Sequence, residues 1–177
     1  QRASRQLDAK SDLYIYFYFV GLSILNERGS FCFITSNSWL DVGYGADLQE
    51  FLLKHCHVKL ILDNRAKRSF ASADVNTVIA LLSAADDRKE SGLESTARFV
   101  MFKIPFEHAL SAVLYDEIES AVGQHDKPEY RELPLQQRVL WEAGCETQEP
   151  EEGADVKLTT RTARTVSYTH LRAHETP

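Results

Sequence analysis

Two short segments carry side chains suited to chemistry rather than to packing alone. Thr35-Ser36-Asn37-Ser38-Trp39 ends the β-prone run that begins at Ser30 and places small hydrogen-bonding groups and one large ring at a strand's carboxyl end. In open α/β sheets, ligands sit beyond the carboxyl ends of the strands. Ser36 and Asn37 are therefore candidate pocket residues, although Ser and Asn are equally at home in a loop that caps a helix. The second segment, Arg65-Ala66-Lys67-Arg68-Ser69-Phe70, sets three cations just before an aromatic ring. Cations can hold phosphates while a ring stacks on an unpaired base. The bland alternative is a solvated basic loop with Phe70 turned into the core.

The elements that must position these segments are readable from periodicity. Over Asp12 to Leu25, Leu13, Phe17, Val20, Ile24 and Leu25 recur at three- and four-residue steps, and Tyr14, Tyr16 and Tyr18 widen the apolar face. That pattern predicts a core helix, with Gly29 as the residue past its stop. Ser30 to Thr35 is a continuous apolar run expected of a strand buried on both faces. Asp41 to His55 predicts a second helix, with Leu48, Phe51 and Leu52 on one side, and Val58 to Asp63 a second strand. Val75 to Leu82 predicts a third strand, reached without an intervening helical pattern and so able to return antiparallel. Helix, strand, helix, strand points to an α/β layered sheet with parallel neighbours. Arg98 to Ile104 is a further strand candidate, Pro105 is placed to open a helix running to about Ala121, and Gly123 to Pro128 breaks it. Tyr130 to Trp141 is mixed in pattern, and Glu142 to Gly153 is acidic with few large apolar residues, as in a linker.

Composition limits the functions available. With 177 residues, 44% of them hydrophobic, the chain can bury one sizeable core. Leu13 to Leu25 is too short for a membrane helix, which needs roughly 18 to 20 apolar residues. No charged-then-apolar leader marks export, so a cytoplasmic setting is expected, and the absence of an initial Met leaves the true start open. Cys32, Cys56 and Cys145 have no spacing suited to a zinc site or a disulfide framework, so no metal is expected. A net charge of −6 is unusual for a nucleic-acid binder.

Several stretches together resemble the adenine-specific DNA methyltransferases of type II restriction-modification systems. These are Lys10-Ser11-Asp12-Leu13-Tyr14 with Phe17, the run GSFCFITSNSWL from Gly29, YGADLQEFLL from Tyr44, and SFASADVNTVIALL from Ser69, in that family's order over about Ala9 to Ser83. The resemblance implies the C-terminal part of a Rossmann-like, S-adenosylmethionine-dependent methyltransferase sheet whose last strand is antiparallel. It implies methyl transfer to the exocyclic amine of adenine in double-stranded DNA, with the adenine flipped out of the duplex. On that reading Phe70 stacks on the flipped base, Arg65, Lys67 and Arg68 meet DNA phosphates, and Leu13 and Phe17 flank the cofactor.

The family's glycine-rich cofactor loop and its Asn/Asp-Pro-Pro-Tyr/Phe tetrapeptide are missing. The five prolines include no Pro-Pro pair, and Gly43-Tyr44-Gly45 lacks the third glycine of a dinucleotide loop. No catalytic residue is therefore assigned, and the isolated chain is expected to be inactive. Residues 1–104 read as a partial catalytic domain and 105–165 as a helical or linker segment leading toward a target-recognition domain, which would also account for the acidic balance. Val166 to Thr176 resembles a sequencing-library adapter translated in one frame, so residues 166–177 are expected to be non-native, and His170 and His174 are not taken as a metal site. Alternatives are a related methyltransferase acting on RNA or protein, and a non-catalytic DNA-binding remnant.

Overall fold

The computed structural model describes residues 11–64, 75–84, 91–105, 108, 111–147 and 158–161. In chain order the elements are α1 (Leu13–Ser23), β1 (Ser30–Ser36), two 3-10 turns (Asn37–Leu40 and Gly43–Gly45), α2 (Ala46–His55), β2 (Val58–Asn64) and β3 (Thr77–Ser83). A 3-10 turn at Ser91–Glu94, β4 (Thr96–Phe102), α3 (Ala112–Ser120), β5 (His125–Asp126), β6 (Tyr130–Gln136), α4 (Gln137–Ala143), β7 (Cys145–Thr147) and β8 (Leu158–Arg161) follow.

Six strands form one sheet in the order β1-β3-β2-β4-β6-β5, and β7 pairs with β8 separately. The expected late hairpin is present, because β3 returns antiparallel to β2 with Asp63 opposite Val78. The same strand pairs antiparallel with β1, Ser36 opposite Thr77. β1 and β2 therefore run the same way but are not neighbours, since β3 lies between them. Among the described residues, the one parallel pair is β2 with β4. The mixed pattern from Tyr130 resolves into β6, antiparallel to β4 in the same sheet, followed by α4. Of the helix expected from Pro105 to about Ala121, the described residues show His108 in helical conformation and α3 over Ala112–Ser120, whose cap Ser111 accepts a bond from the Leu114 N–H.

Strand alternation divides the core into two layers. Val78, Ala80, Leu82, Ile61, Ala97 and Phe99 face α1, α2 and α4, packing with Tyr18, Leu48, Leu52 and Leu140. Leu60, Leu62, Val100 and Phe102 face the other way, onto Leu114 and Ile118 of α3. Tyr18 is the centre of an aromatic group, with Phe33, Trp39 and Phe31 at ring-centroid distances of 5.2, 5.7 and 5.8 Å.

The expectation for α1 needs correction. Its buried side chains are Ile15, Tyr18 and Leu22, whereas Leu13, Phe17, Val20 and Ile24 point outward with 65, 52, 58 and 78% of their surface exposed. The helix is apolar all round, so two stripes satisfy the same three- and four-residue spacing. The periodicity that predicted a core helix could not choose between them.

Two polar clamps fix the layers. Gln137, fully buried at the start of α4, donates through Nε2 to the carbonyls of Leu53 and Cys56, both at 2.9 Å, and accepts from the Val58 N–H at 2.8 Å. It thereby locks the end of α2 to the start of β2. The same two carbonyls explain Gly92, since a Cβ there would lie 2.6 Å from each. On the other layer, Arg98 of β4 donates to the carbonyls of Ala121 and Glu119 at 3.0 and 2.6 Å, closing the end of α3, and to Glu132 Oε1 at 3.2 Å. Glu132 is fully buried, and its Oε2 has no partner among the described residues. Burial pushes its carboxyl above the usual range, against the opposing pull of Arg98.

Replacing Gln137 by Leu strands two carbonyls and one N–H. At ~1 to 3 kcal/mol for each buried unpaired group, urea unfolding is expected to show a loss on the order of 3 kcal/mol. A loss below ~1 kcal/mol would mean that the clamp does not hold the junction. For Glu132, the folded state keeps its proton to higher pH than the unfolded chain does. Its penalty therefore grows as pH rises through and above the ordinary carboxylate range. Glu132→Gln removes that dependence, so the variant should gain stability relative to the native chain between pH ~4 and neutrality. A parallel pair of stability curves would refute the assignment.

Candidate functional site

Because β1 and β2 run the same way on either side of β3, the end of β1, the start of β3 and the ends of β2 and β4 lie along one edge of the sheet. Ser36 pairs with Thr77, Asp63 with Val78, and Asn64 with Phe102. Thr77 and Asp63 are buried there. Asn37 donates its backbone N–H to the Asn76 carbonyl at 3.0 Å, joining the exit of β1 to the approach of β3.

Ser36 and Asn37 are brought together at this strand end. Ser36 Oγ accepts from the Ser38 N–H at 3.2 Å and lies 2.8 Å from Ser38 Oγ, so it caps the 3-10 turn that follows. The turn folds because a chain leaving a strand presents N–H groups with no helical acceptor, and the Ser36 hydroxyl supplies one. It carries Trp39 and Leu40 inward, where both are buried. Behind the strand end, Thr35 shares a hydrogen bond with Tyr18 at 3.2 Å in the buried core.

The neighbourhood of Trp39 was not legible in the chain. Its carbonyl accepts from Gln49 Nε2 at 2.7 Å. A Cβ on Gly45 would lie 1.9 Å from that carbonyl oxygen, so the second glycine of Gly43-Tyr44-Gly45 permits close backbone approach and does not cradle a phosphate. Between the two glycines, Tyr44 reaches the hydroxyl of Tyr14 on α1 at 3.0 Å. Burial, with the Tyr44 bond second, raises the Tyr14 pKa, and burial likewise raises that of Tyr18. Both phenols remain protonated and act as hydrogen-bonding groups rather than bases. Among the described residues, Trp39 Nε1 is a buried donor with no partner. The two tyrosines are 30 positions apart and share no local pattern, which is why periodicity misses them.

Leu13 and Phe17 lie at the start of α1 on its outward face. Arg65, Lys67, Arg68 and Phe70 lie outside the described residues. The strand ends that bracket them, Asn64 and Thr77, belong to the same edge as Ser36. Among the described residues, no group of His, Cys, Asp and Glu could hold a metal ion. Cys32 and Cys56 are free thiols, the latter buried with its pKa pushed up to about 12. No helix among those residues is long and apolar enough to cross a membrane.

Residues 1–70 match the family model of the Eco57I restriction-modification methylase. The match therefore takes in α1, β1, α2 and β2. Among solved structures, the chain is similar to a modification subunit described as part of a type I restriction enzyme from Vibrio vulnificus YJ016. That similarity has a TM-score of 0.55 and 14% identity over 92% of this chain and 33% of that one. It is also similar to the type I restriction enzyme EcoKI M protein, with a TM-score of 0.51 and 10% identity over 92% of this chain and 41% of that one. The fold is thus the mixed α/β fold found in methyltransferase modification subunits, and the chain spans a third to two fifths of their length. No curated protein matches the chain.

The close approach at Gly45 gives a direct check on the strand-end geometry. Gly45→Ala should lower stability by ~1 to 3 kcal/mol, as overpacking does. Gly43→Ala, where a Cβ meets nothing within 4 Å, should be close to neutral. Equal thermal denaturation midpoints for the two variants would show that Gly45 does not hold the Trp39 turn.

Proposed function

We propose that this chain is part of a site-specific DNA methyltransferase that transfers a methyl group from S-adenosylmethionine to the exocyclic amine of adenine in double-stranded DNA, within a restriction-modification system. One observation carries the reading. The matched residues 1–70 end in the segment bearing three cations and Phe70, and that segment is bracketed by strand ends on the same sheet edge as Ser36 and Asn37. The two solved neighbours, named as modification proteins of restriction enzymes, support the same direction.

In this reading Leu13 and Phe17, which present open apolar surface on the first turns of α1, are the described residues available to flank a cofactor. When bound, S-adenosylmethionine supplies a methyl group on a positively charged sulfur. The chain's own residues bind and orient. Leu13 and Phe17 flank the cofactor, Ser36 and Asn37 line the strand-end pocket, Phe70 stacks on the extruded adenine, and Arg65, Lys67 and Arg68 hold backbone phosphates. No Pro-Pro tetrapeptide stands among the 177 residues to contact the reacting amine, so no methyl transfer is expected from this chain alone.

The test uses the longer methyltransferase and a duplex carrying a fluorescent adenine analogue at the target position. Phe70→Ala should weaken capture of the flipped base by ~1 to 3 kcal/mol, the worth of one base-aromatic stack, and change the analogue's emission. Emission and affinity indistinguishable from those of the unsubstituted protein would remove Phe70 from this role.

A further inference from the structure

Two tyrosines of α1 reach the chain that leaves β1, one on each side of the turn that follows Ser36. Tyr18, fully buried, shares a hydrogen bond with Thr35 at 3.2 Å, directly before that turn. Tyr14, one helical turn earlier and partly buried, shares one with Tyr44 at 3.0 Å, in the next turn along. Tyr14 also bonds to the Trp39 backbone, whose carbonyl accepts from Gln49 of α2 at 2.7 Å. Trp39 is thus held from α1 on one side and from α2 on the other.

The two tyrosines differ in what their hydroxyls do. Tyr18 is wedged among Phe31, Phe33 and Trp39, so packing holds it in place. Tyr14 and Tyr44 lie at the margin of the same apolar cluster and meet through their oxygens. A phenylalanine at either position would bury the same ring carbons. The hydroxyl pair adds little net stability, because the unfolded chain offers water to the same groups. What it adds is placement. Successive helix residues are rotated by about 100°, and Leu13 directly precedes Tyr14. Pinning the Tyr14 oxygen to Tyr44 therefore fixes where Leu13, and Phe17 one turn on, stand relative to the turn behind Ser36 and Asn37.

We propose that Tyr14 and Tyr44 are a positioning pair, whose shared hydrogen bond sets the spacing between the first turns of α1 and the strand-end turn, and so the fit of the cofactor. The proposal rests on the methyltransferase reading, which assigns Leu13 and Phe17 to the cofactor and Ser36 and Asn37 to the pocket. Neither tyrosine touches substrate in this role, and each acts through the residues that it holds.

The test uses Tyr14→Phe, Tyr44→Phe and the double variant. In the longer methyltransferase, Tyr44→Phe should raise the KM and the Kd for S-adenosylmethionine about three- to tenfold, the change one net hydrogen bond supports, with kcat little altered. The double variant should match Tyr14→Phe alone, because the pair is already broken in the single variant. In the 177-residue chain, without cofactor, Tyr44→Phe should speed hydrogen–deuterium exchange at the Asp41, Val42 and Gly45 amides that close the two turns, and leave Ser83 at the opposite rim unchanged. A lower thermal midpoint and a lower kcat with KM and Kd unmoved would mark a purely structural bond and overturn the proposal. Additive effects of the two substitutions, or unchanged exchange at the turns, would overturn it as well. Faster exchange in the variant, with no cofactor bound by the unsubstituted longer protein, would instead overturn the methyltransferase reading and with it the cofactor role of the pair.

Discussion

The placement of β3 governs the molecule. A strand that leaves β2, reverses and inserts between β1 and β2 must satisfy backbone donors and acceptors on both sides. It does so over a full seven-residue register with β1 and a bulged one with β2. Its own residues, Val78, Ala80 and Leu82 toward one layer and Ile79 and Leu81 toward the other, supply core on both faces. Because β3 is antiparallel to both flanking strands, β1 and β2 end on the same edge. The polar turn after β1 and the segment after β2 therefore share one rim.

The helices serve that arrangement unequally. α2 is tied to β2 through Gln137 and to α4 through Lys54, whose ammonium lies 4.0 Å from the centre of the Trp141 ring. α3 is tied to β4 and β6 through Arg98 and the buried Glu132. α1 is held mainly by aromatic contact through Tyr18 and by the Tyr14–Tyr44 hydrogen bond, and it leaves its other face open. α1 thus keeps an apolar outer face, with Leu13, Phe17 and Val20 exposed.

Much of this was legible in the residues. The strands at Ser30, Val58, Thr77 and Thr96 were visible as short β-branched and aromatic runs. The antiparallel return was visible because no helical period separates Val58 from Leu82. The outward face of α1 was not visible, since Leu13, Phe17, Val20 and Ile24 are as apolar as Ile15, Tyr18 and Leu22. β6 was obscured by Arg131, Glu132 and Pro134, polar or strand-averse residues that the sheet accepts because Arg98 and Asp126 pair with two of them. At the candidate site, Ser36 and Asn37 could be placed from the strand that precedes them. The contacts among Tyr14, Trp39, Tyr44 and Gln49 depend on chain segments meeting in space and leave no local signature.

The central claim is that cofactor and target base gather at the rim where β1, β2 and β4 end. Hydrogen–deuterium exchange on the longer protein tests it most directly, with and without S-adenosylmethionine and target duplex. Slowed exchange is predicted at Ser36 to Ser38 and across residues 65–74, with the opposite rim, at Ser30, Ser83 and Thr96, unchanged. Protection confined to that opposite rim, or to α3 and β5, would contradict the account.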